Sequence, residues 1–284
     1  MKDAVPHGPR FGHYGVWTAG PVKPDQAVEI ERLGYGAVWV GGSPPPDLSF
    51  VEPILEQTEM LRVATGIVNI WSANAVEVAE SYHRVEKAFP GRFLLGLGAG
   101  HREHTDEYQK PFEALVSYLD VLDDESVPAS RRVLAALGPK VLDLAARRSA
   151  GAHPFLTTAA HTRVARESLD ATVFLAPQQA VVLDTDAEKA REIGRPIIDF
   201  YLGLSNYRNN WKRLGFTDAD LASPGSDRLI DALIAHGTAA DIADRLSAHL
   251  VAGADHVAIQ VHNPDQLLAT LAALAEPLGI PEHA

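Results

Sequence analysis

Phe89-Pro-Gly-Arg-Phe-Leu-Leu-Gly-Leu-Gly-Ala-Gly-His101 is the stretch that decides the fold. Pro90-Gly91 stops the helix-period segment Asn74–Phe89, and Phe93–Leu97 is a short apolar run of the kind that forms a buried strand. Glycines at 96, 98 and 100 leave the strand end without side chains, so a ligand or another backbone can approach closely there. Working outward, the same unit recurs. Pro24–Leu33 has helical spacing with Pro24 and Asp25 as start signals, and Gly34-Tyr-Gly36 ends it and launches the strand Ala37–Val40. Glu31–Val40 is echoed by Leu250–Ile259, each with a helix end, a Gly stop and a buried strand.

Between these units the pattern predicts strands at Phe11–Ala19, Leu61–Ile70, Arg132–Leu137, Gly151–Leu156, Val181–Leu183 and Asp255–Val261. Helices are predicted at Ser49–Glu59, Pro111–Asp123, Pro139–Ser149, Thr158–Leu169 and Thr238–Ala252, with a last one from Pro264. Thr238-x-x-Asp241 is a capping pattern. Strand–helix alternation calls for a parallel sheet with right-handed crossovers. About eight strands favour a (β/α)8 TIM barrel over an open Rossmann-like sheet. At 284 residues one barrel accounts for the whole chain as a single domain, 1–284. The rhythm breaks only at 186–236, too long for one crossover helix, which is expected to be a helical excursion that covers a pocket, forms a subunit contact or is simply solvated.

Composition narrows the function. With 25 basic and 37 acidic residues the net charge is −12, which repels phosphate backbones and argues against nucleic acid. Zero cysteines exclude disulfides, thiol nucleophiles and Cys-held metals. No apolar run reaches the roughly 18 residues of a membrane span, and no hydrophobic signal core opens the chain, so a cytoplasmic protein is expected.

Several residues could carry chemistry. His101, at a strand end on the face where barrels place their sites, can exchange a proton, or is a surface histidine in a charged loop. Leu95–His101 is not a dinucleotide fingerprint, because the last required glycine falls on His101. His101 and His104 lack the partners of a metal site, and none is expected. Gly138-Pro139-Lys140 places Pro139 at the first position of a helix, whose free N–H groups attract anions, and Thr157-Thr158 opens the next helix with two hydroxyls. Both are also ordinary turn and cap sequences. Trp17, Trp39 and Trp71 lie near strand ends and could wall a flat ligand or fill the core.

Together these segments resemble the luciferase-like flavin and deazaflavin oxidoreductases, in particular an actinobacterial branch of coenzyme F420-dependent enzymes. The resemblance rests on 33–40, 62–71, 90–101, 132–140, 149–154, 204–210 and 253–257, and so runs nearly the whole chain. It implies a bacterial luciferase-like barrel with the cofactor ring at the C-terminal strand ends. Asn69 and Ile70 would lie beside the ring where the third strand bulges, with Trp39 and Gly41 nearby. Gly98, Gly100 and His101 would close the fourth strand, with His101 catalytic. Ala136, Leu137, Gly138, Pro139 and Lys140 would meet the cofactor phosphate, with Thr157 and Thr158 opposite, and Trp17, Trp71 and Tyr207 would line the substrate pocket. Related sugar-phosphate dehydrogenases carry an acidic residue at the position of His101 and an Asp-His pair where this chain reads Gly41-Gly-Ser43, which argues against that reaction. The resemblance implies F420-dependent hydride transfer with a small organic substrate, with FMN and monooxygenation as the alternative, and a homodimer. A non-catalytic barrel is a further alternative, suggested by the short Gly41–Asp47 loop with its three prolines.

Overall fold

The computed structural model describes residues 11–100 and 110–281; His101 lies outside them. The first half runs β1 (Tyr14–Thr18), α1 (Pro24–Arg32), β2 (Ala37–Val40), α2 (Val51–Glu56), β3 (Arg62–Thr65), β4 (Val68–Asn69), α3 (Ala75–Ala88), β5 (Phe93–Gly98) and α4 (Pro111–Asp124). There follow β6 (Arg132–Leu134), α5 (Pro139–Arg148), β7 (Gly151–Ala152), α6 (Ala159–Ser168), β8 (Phe174–Leu175) and β9 (Gln178–Val182). The chain then forms α7 (Ala187–Leu202), α8 (Ser205–Arg213), α9 (Asp227–Leu233), β10 (Ile234–His236), α10 (Ala239–Val251), β11 (Val257–Val261) and α11 (Leu267–Ala275).

All strand pairings are parallel, in the order β10-β9-β11-β1-β2-β3-β5-β6-β7-β8. β8 and β9 are consecutive pieces of one extended segment, separated only by Ala176 and Pro177. That segment bonds β7 on one side, through Ala176 N–H to Ala152 O, and β11 on the other, through Ala258 N–H to Pro177 O. The sheet therefore closes on itself with the helices outside, as the alternation predicts, and β10 branches off β9.

Side chains alternate across the wall. Val16, Val38, Val63 and Leu95 face the helical layer. Trp17, Trp39, Ala64 and Leu94, in register on neighbouring strands, point into the barrel with Phe11, Val133, Phe174 and Ala258. The small residues Ala37, Ala64 and Ala258 leave room for Trp39, which is fully buried. A third cluster, including Tyr207, Trp211 and Ile230, holds α7, α8 and α9 against β9 and β10.

Local chemistry sets the helix starts. Asn74 Oδ1 accepts from the N–H groups of Val76 and Glu77, and Asp186 does the same for Glu188 and Lys189. The Thr238–Asp241 capping box forms as its pattern predicts. Other elements are shorter than the pattern suggests. The Leu61–Ile70 strand divides at Gly66-Ile67, whose peptide is cis. Ala64 pairs with Leu94 but Val68 with Leu97, so this strand carries one residue more than β5, a bulge. The helix at Ser49–Glu59 contracts to α2, and Gly151–Leu156 keeps ladder pairing only in β7, because Pro154 has no N–H to donate. Apolar pattern misses β8, the first residues of β9, and β10 inside the excursion.

Candidate functional site

A cavity of about 850 Å³ opens at the C-terminal ends of the strands. Its floor and walls come from Trp17, Gly66, Ile67, Asn69, Ala99 and Gly100, then Ala135–Gly138, His153, Phe155, Gln260 and His262. Phe112 and Leu115 of α4 and Ile197, Phe200, Tyr201, Ser205, Asn206 and Tyr207 of the α7–α8 excursion form the rim. Among the described residues, no Asp, Glu, Lys or Arg lines it. One wall is a run of aromatic rings, with centroids 5.0 Å apart for Trp17–Phe155, 5.6 Å for Phe155–Tyr201 and 4.6 Å for Tyr201–Tyr207. Burial raises the Tyr201 hydroxyl to about 12 and Tyr207 well above its ordinary value, so both stay neutral.

The few polar atoms are oriented by their neighbours. Trp17 Nε1 donates to Gly66 O at 3.1 Å. Asn69 Oδ1 accepts from Trp71 N–H, which turns its amide nitrogen the other way. His153 Nδ1 lies 2.6 Å from Ala176 O, an acceptor only, so Nδ1 carries the proton and Nε2 is a bare acceptor without a partner among the described residues. Its ring stacks on Trp39 at 4.2 Å, and burial pushes its pKa down to about 4. Leu156 N–H donates to Gln178 Oε1, Gln178 Nε2 donates to Gln260 Oε1, and the Gln260 amide nitrogen is left toward the cavity.

At the far end the cavity reaches the N-terminus of α5, where Gly138 is the N-cap and Pro139 the first helical residue. Arg213 of α8 stands over Gly138, so close that a Cβ there would lie 3.8 Å from Nη2, and donates to Asn210 Oδ1 at 3.3 Å. Asn210 Nδ2 and Thr157 Oγ1 are buried without a partner among the described residues. His161 Nε2 donates to Leu137 O, tying α6 to the same turn.

Of the residues singled out from sequence, Trp17, Asn69, Gly100, Ala136, Leu137, Gly138 and Tyr207 line the cavity. Others lie elsewhere. Trp39 is sealed in the barrel below the floor, donating to His256 Nε2 at 3.0 Å, because the inward face of β2 points down the axis. Gly41 lies behind Trp17, where a Cβ would come 1.9 Å from Cζ2, and Gly42 and Ser43 face the space instead. Ile70 joins the outer core, since the bulge turns Ile67 inward in its place. Trp71 is held off the cavity by its bond to Ala99 O, 2.5 Å long. Gly98 is one residue below the lining, Pro139 and Lys140 are not part of it, and the Thr158 hydroxyl caps α6 by accepting from His161 N–H. Sequence reasoning gave no role to His153, Phe155, Gln260, Asn210 or Arg213. The Gly-Ala-His-Pro stretch at 151–154 holds His153 and the polar run 206–211 holds Asn210, whereas Phe155, Arg213 and Gln260 lie in neither.

Comparison with known proteins agrees with this architecture. Residues 23–124 match the luciferase-like monooxygenase family model. The uncharacterized protein YwcH of Bacillus subtilis is 31% identical over 123 residues, 35% of this chain and only 36% of that protein's length. The 5,10-methylenetetrahydromethanopterin reductase of Archaeoglobus fulgidus is 24% identical over 258 residues, covering 71% of this chain and 77% of the reductase. An F420-dependent secondary alcohol dehydrogenase, solved with an F420–acetone adduct, superposes with a TM-score of 0.73 at 16% identity, over 95% of this chain and 98% of that one. The fold is luciferase-like. Among the described residues no helix is long and apolar enough to cross a membrane.

Proposed function

We propose that this luciferase-like barrel is an F420-dependent oxidoreductase acting on a small organic molecule. The observation that carries this reading is the cavity itself: open, aromatic and without a charged lining residue among those described, and reaching at one end the N-terminus of α5, beside which Arg213 stands. A ring system with a phosphate tail has that polarity. The residues fit the group. Ile67 and Asn69 at the bulge, with Gly100 beside the Asn69 amide, offer an uncharged face for the ring. The α5 N-terminus and Arg213 suit the phosphate end, with Asn210 Nδ2 and Thr157 Oγ1, which have no partner among the described residues, close by in the fold. Side chains do not fill the cavity, which favours a ligand-binding enzyme over a barrel that has lost its site.

Bound there, a deazaflavin supplies two-electron hydride exchange, whereas FMN would in addition meet oxygen. The chain's own contribution is to position and desolvate. The aromatic wall excludes water and holds a flat substrate against the ring face. The neutral Tyr201 and Tyr207 and the oriented Asn69 and Gln260 amides set its orientation without adding charge. His101, next in sequence after Gly100, is assigned the proton that accompanies the exchange. Fluorescence titration of the purified protein with F420, FMN and FAD tests the reading. Saturable binding of F420 in preference to the flavins is expected, FMN preference would shift the reading to a monooxygenase, and binding of none would overturn it.

A further inference from the structure

The polar contacts of the cavity point to what it takes beside the cofactor. Gln260 leaves the C-terminal end of β11 and faces the space next to Trp17, on the neighbouring strand. An amide can normally turn either end toward a ligand, but this one cannot. Leu156 N–H is a donor only, so it fixes Gln178 with its oxygen toward Leu156 at 2.9 Å. Gln178, fully buried, then presents its nitrogen to Gln260 Oε1 at 2.6 Å. Gln260 has no orientation left except oxygen back and NH2 forward. That NH2 has no partner among the described residues. Around it, among the described residues, lie aromatic rings and no charged side chain.

We propose that Gln260 is the specificity-determining donor of this site and Gln178 its positioning residue. The ligand on this side is a neutral, largely apolar ring compound carrying a hydrogen-bond-accepting oxygen, such as a cyclic ketone. Anions are disfavoured, because a carboxylate would lose its hydration in an apolar wall for one neutral donor. The same ring without the oxygen leaves the Gln260 amide desolvated and unpaired. This deepens the oxidoreductase reading by naming a substrate class, and it can fail separately from the cofactor assignment.

The test is calorimetric binding of 1-tetralone, its oxygen-free analogue tetralin and the anion 1-naphthoate, with the protein alone and with F420 or FMN at saturation. The expected result is 1-tetralone about three- to tenfold tighter than tetralin, the worth of one neutral hydrogen bond, with naphthoate weakest once the cofactor occupies the anion-binding end. Gln260→Glu keeps an oxygen for Gln178 but removes the forward donor, and should erase or invert the preference while tetralin affinity stays within about threefold. Gln260→Leu, with its melting temperature measured alongside, should likewise bring the two neutral compounds to equal affinity. Equal affinities in the unaltered protein, a preference that survives both substitutions, or failure of either neutral compound to bind would overturn the proposal. So would competitive displacement of 1-tetralone by the cofactor, which would give Gln260 to the cofactor ring instead. If neither F420 nor FMN binds while the tetralone preference holds, the cofactor reading fails and this one stands.

Discussion

Acid should unfold this protein well above the pH at which its carboxylates titrate. His153, His249 and His256 are almost wholly inaccessible, and burial lowers each to about 4. All three are fixed as neutral rings. His256 donates from Nδ1 to Gly12 O and accepts from Trp39 Nε1, and His249 bridges Thr162 and Gln179. In the unfolded chain each returns to about 6.5. Between pH 6.5 and 4 the unfolded state therefore binds more protons, and stability falls as pH falls. From pH 7 to 5 the loss is about 2 kcal/mol per ring, or about 6 kcal/mol for the three. A domain's whole stability is about 5–15 kcal/mol, so this is a large share. On unfolding at pH 5 these three rings together should take up about three protons. Urea denaturation at pH 7, 6 and 5 measures the slope, and His249→Gln should remove about 2 kcal/mol of the loss between pH 7 and 5. A loss below about 1 kcal/mol between pH 7 and 5 would mean that these rings are hydrated or charged in the folded protein, and would refute the argument.

Other outcomes follow from single residues. Arg213→Ala should weaken F420 binding by about tenfold to a hundredfold, the worth of a charge-assisted hydrogen bond, and leave the melting temperature unchanged because the side chain is exposed; an unaltered dissociation constant would remove Arg213 from the site. Gly96→Ala should destabilise by about 1–3 kcal/mol or prevent folding, since its Cβ would sit 1.9 Å from the backbone oxygen of Thr65; an unchanged thermal midpoint would contradict the strand packing. His101→Ala should lower turnover by roughly 10²–10⁴-fold with cofactor affinity intact, and unchanged kinetics would end its proton role. We propose a homodimer, for which light scattering should give about twice the 30.6 kDa of one chain, and a monomer mass would refute it.

Much of this was legible along the chain because barrel units are local. A helix start, a glycine stop and a four- or five-residue apolar strand follow from propensity, capping and φ-freedom within a dozen residues, so Asn74, Thr238 and the 93–100 strand end could be read directly. The Gly138-Pro139 turn could also be read, as the start of a helix with free N–H groups. What the sequence could not determine depends on register and closure. One extra residue between Ala64 and Val68 turns Ile67 into the cavity and Ile70 into the outer core, and no local pattern encodes that exchange. Trp17 and Trp39 stand in equivalent strand positions, yet Trp17 borders the cavity while Trp39 fills the barrel beneath it, a difference fixed by strand stagger and by the alanines around Trp39. Gln260, Gln178 and Leu156 are up to 104 positions apart in sequence, and Arg213 reaches Gly138 from an excursion with no repeat to announce it. Only the closed sheet brings them together, because a buried donor or acceptor finds its partner through space and not through sequence.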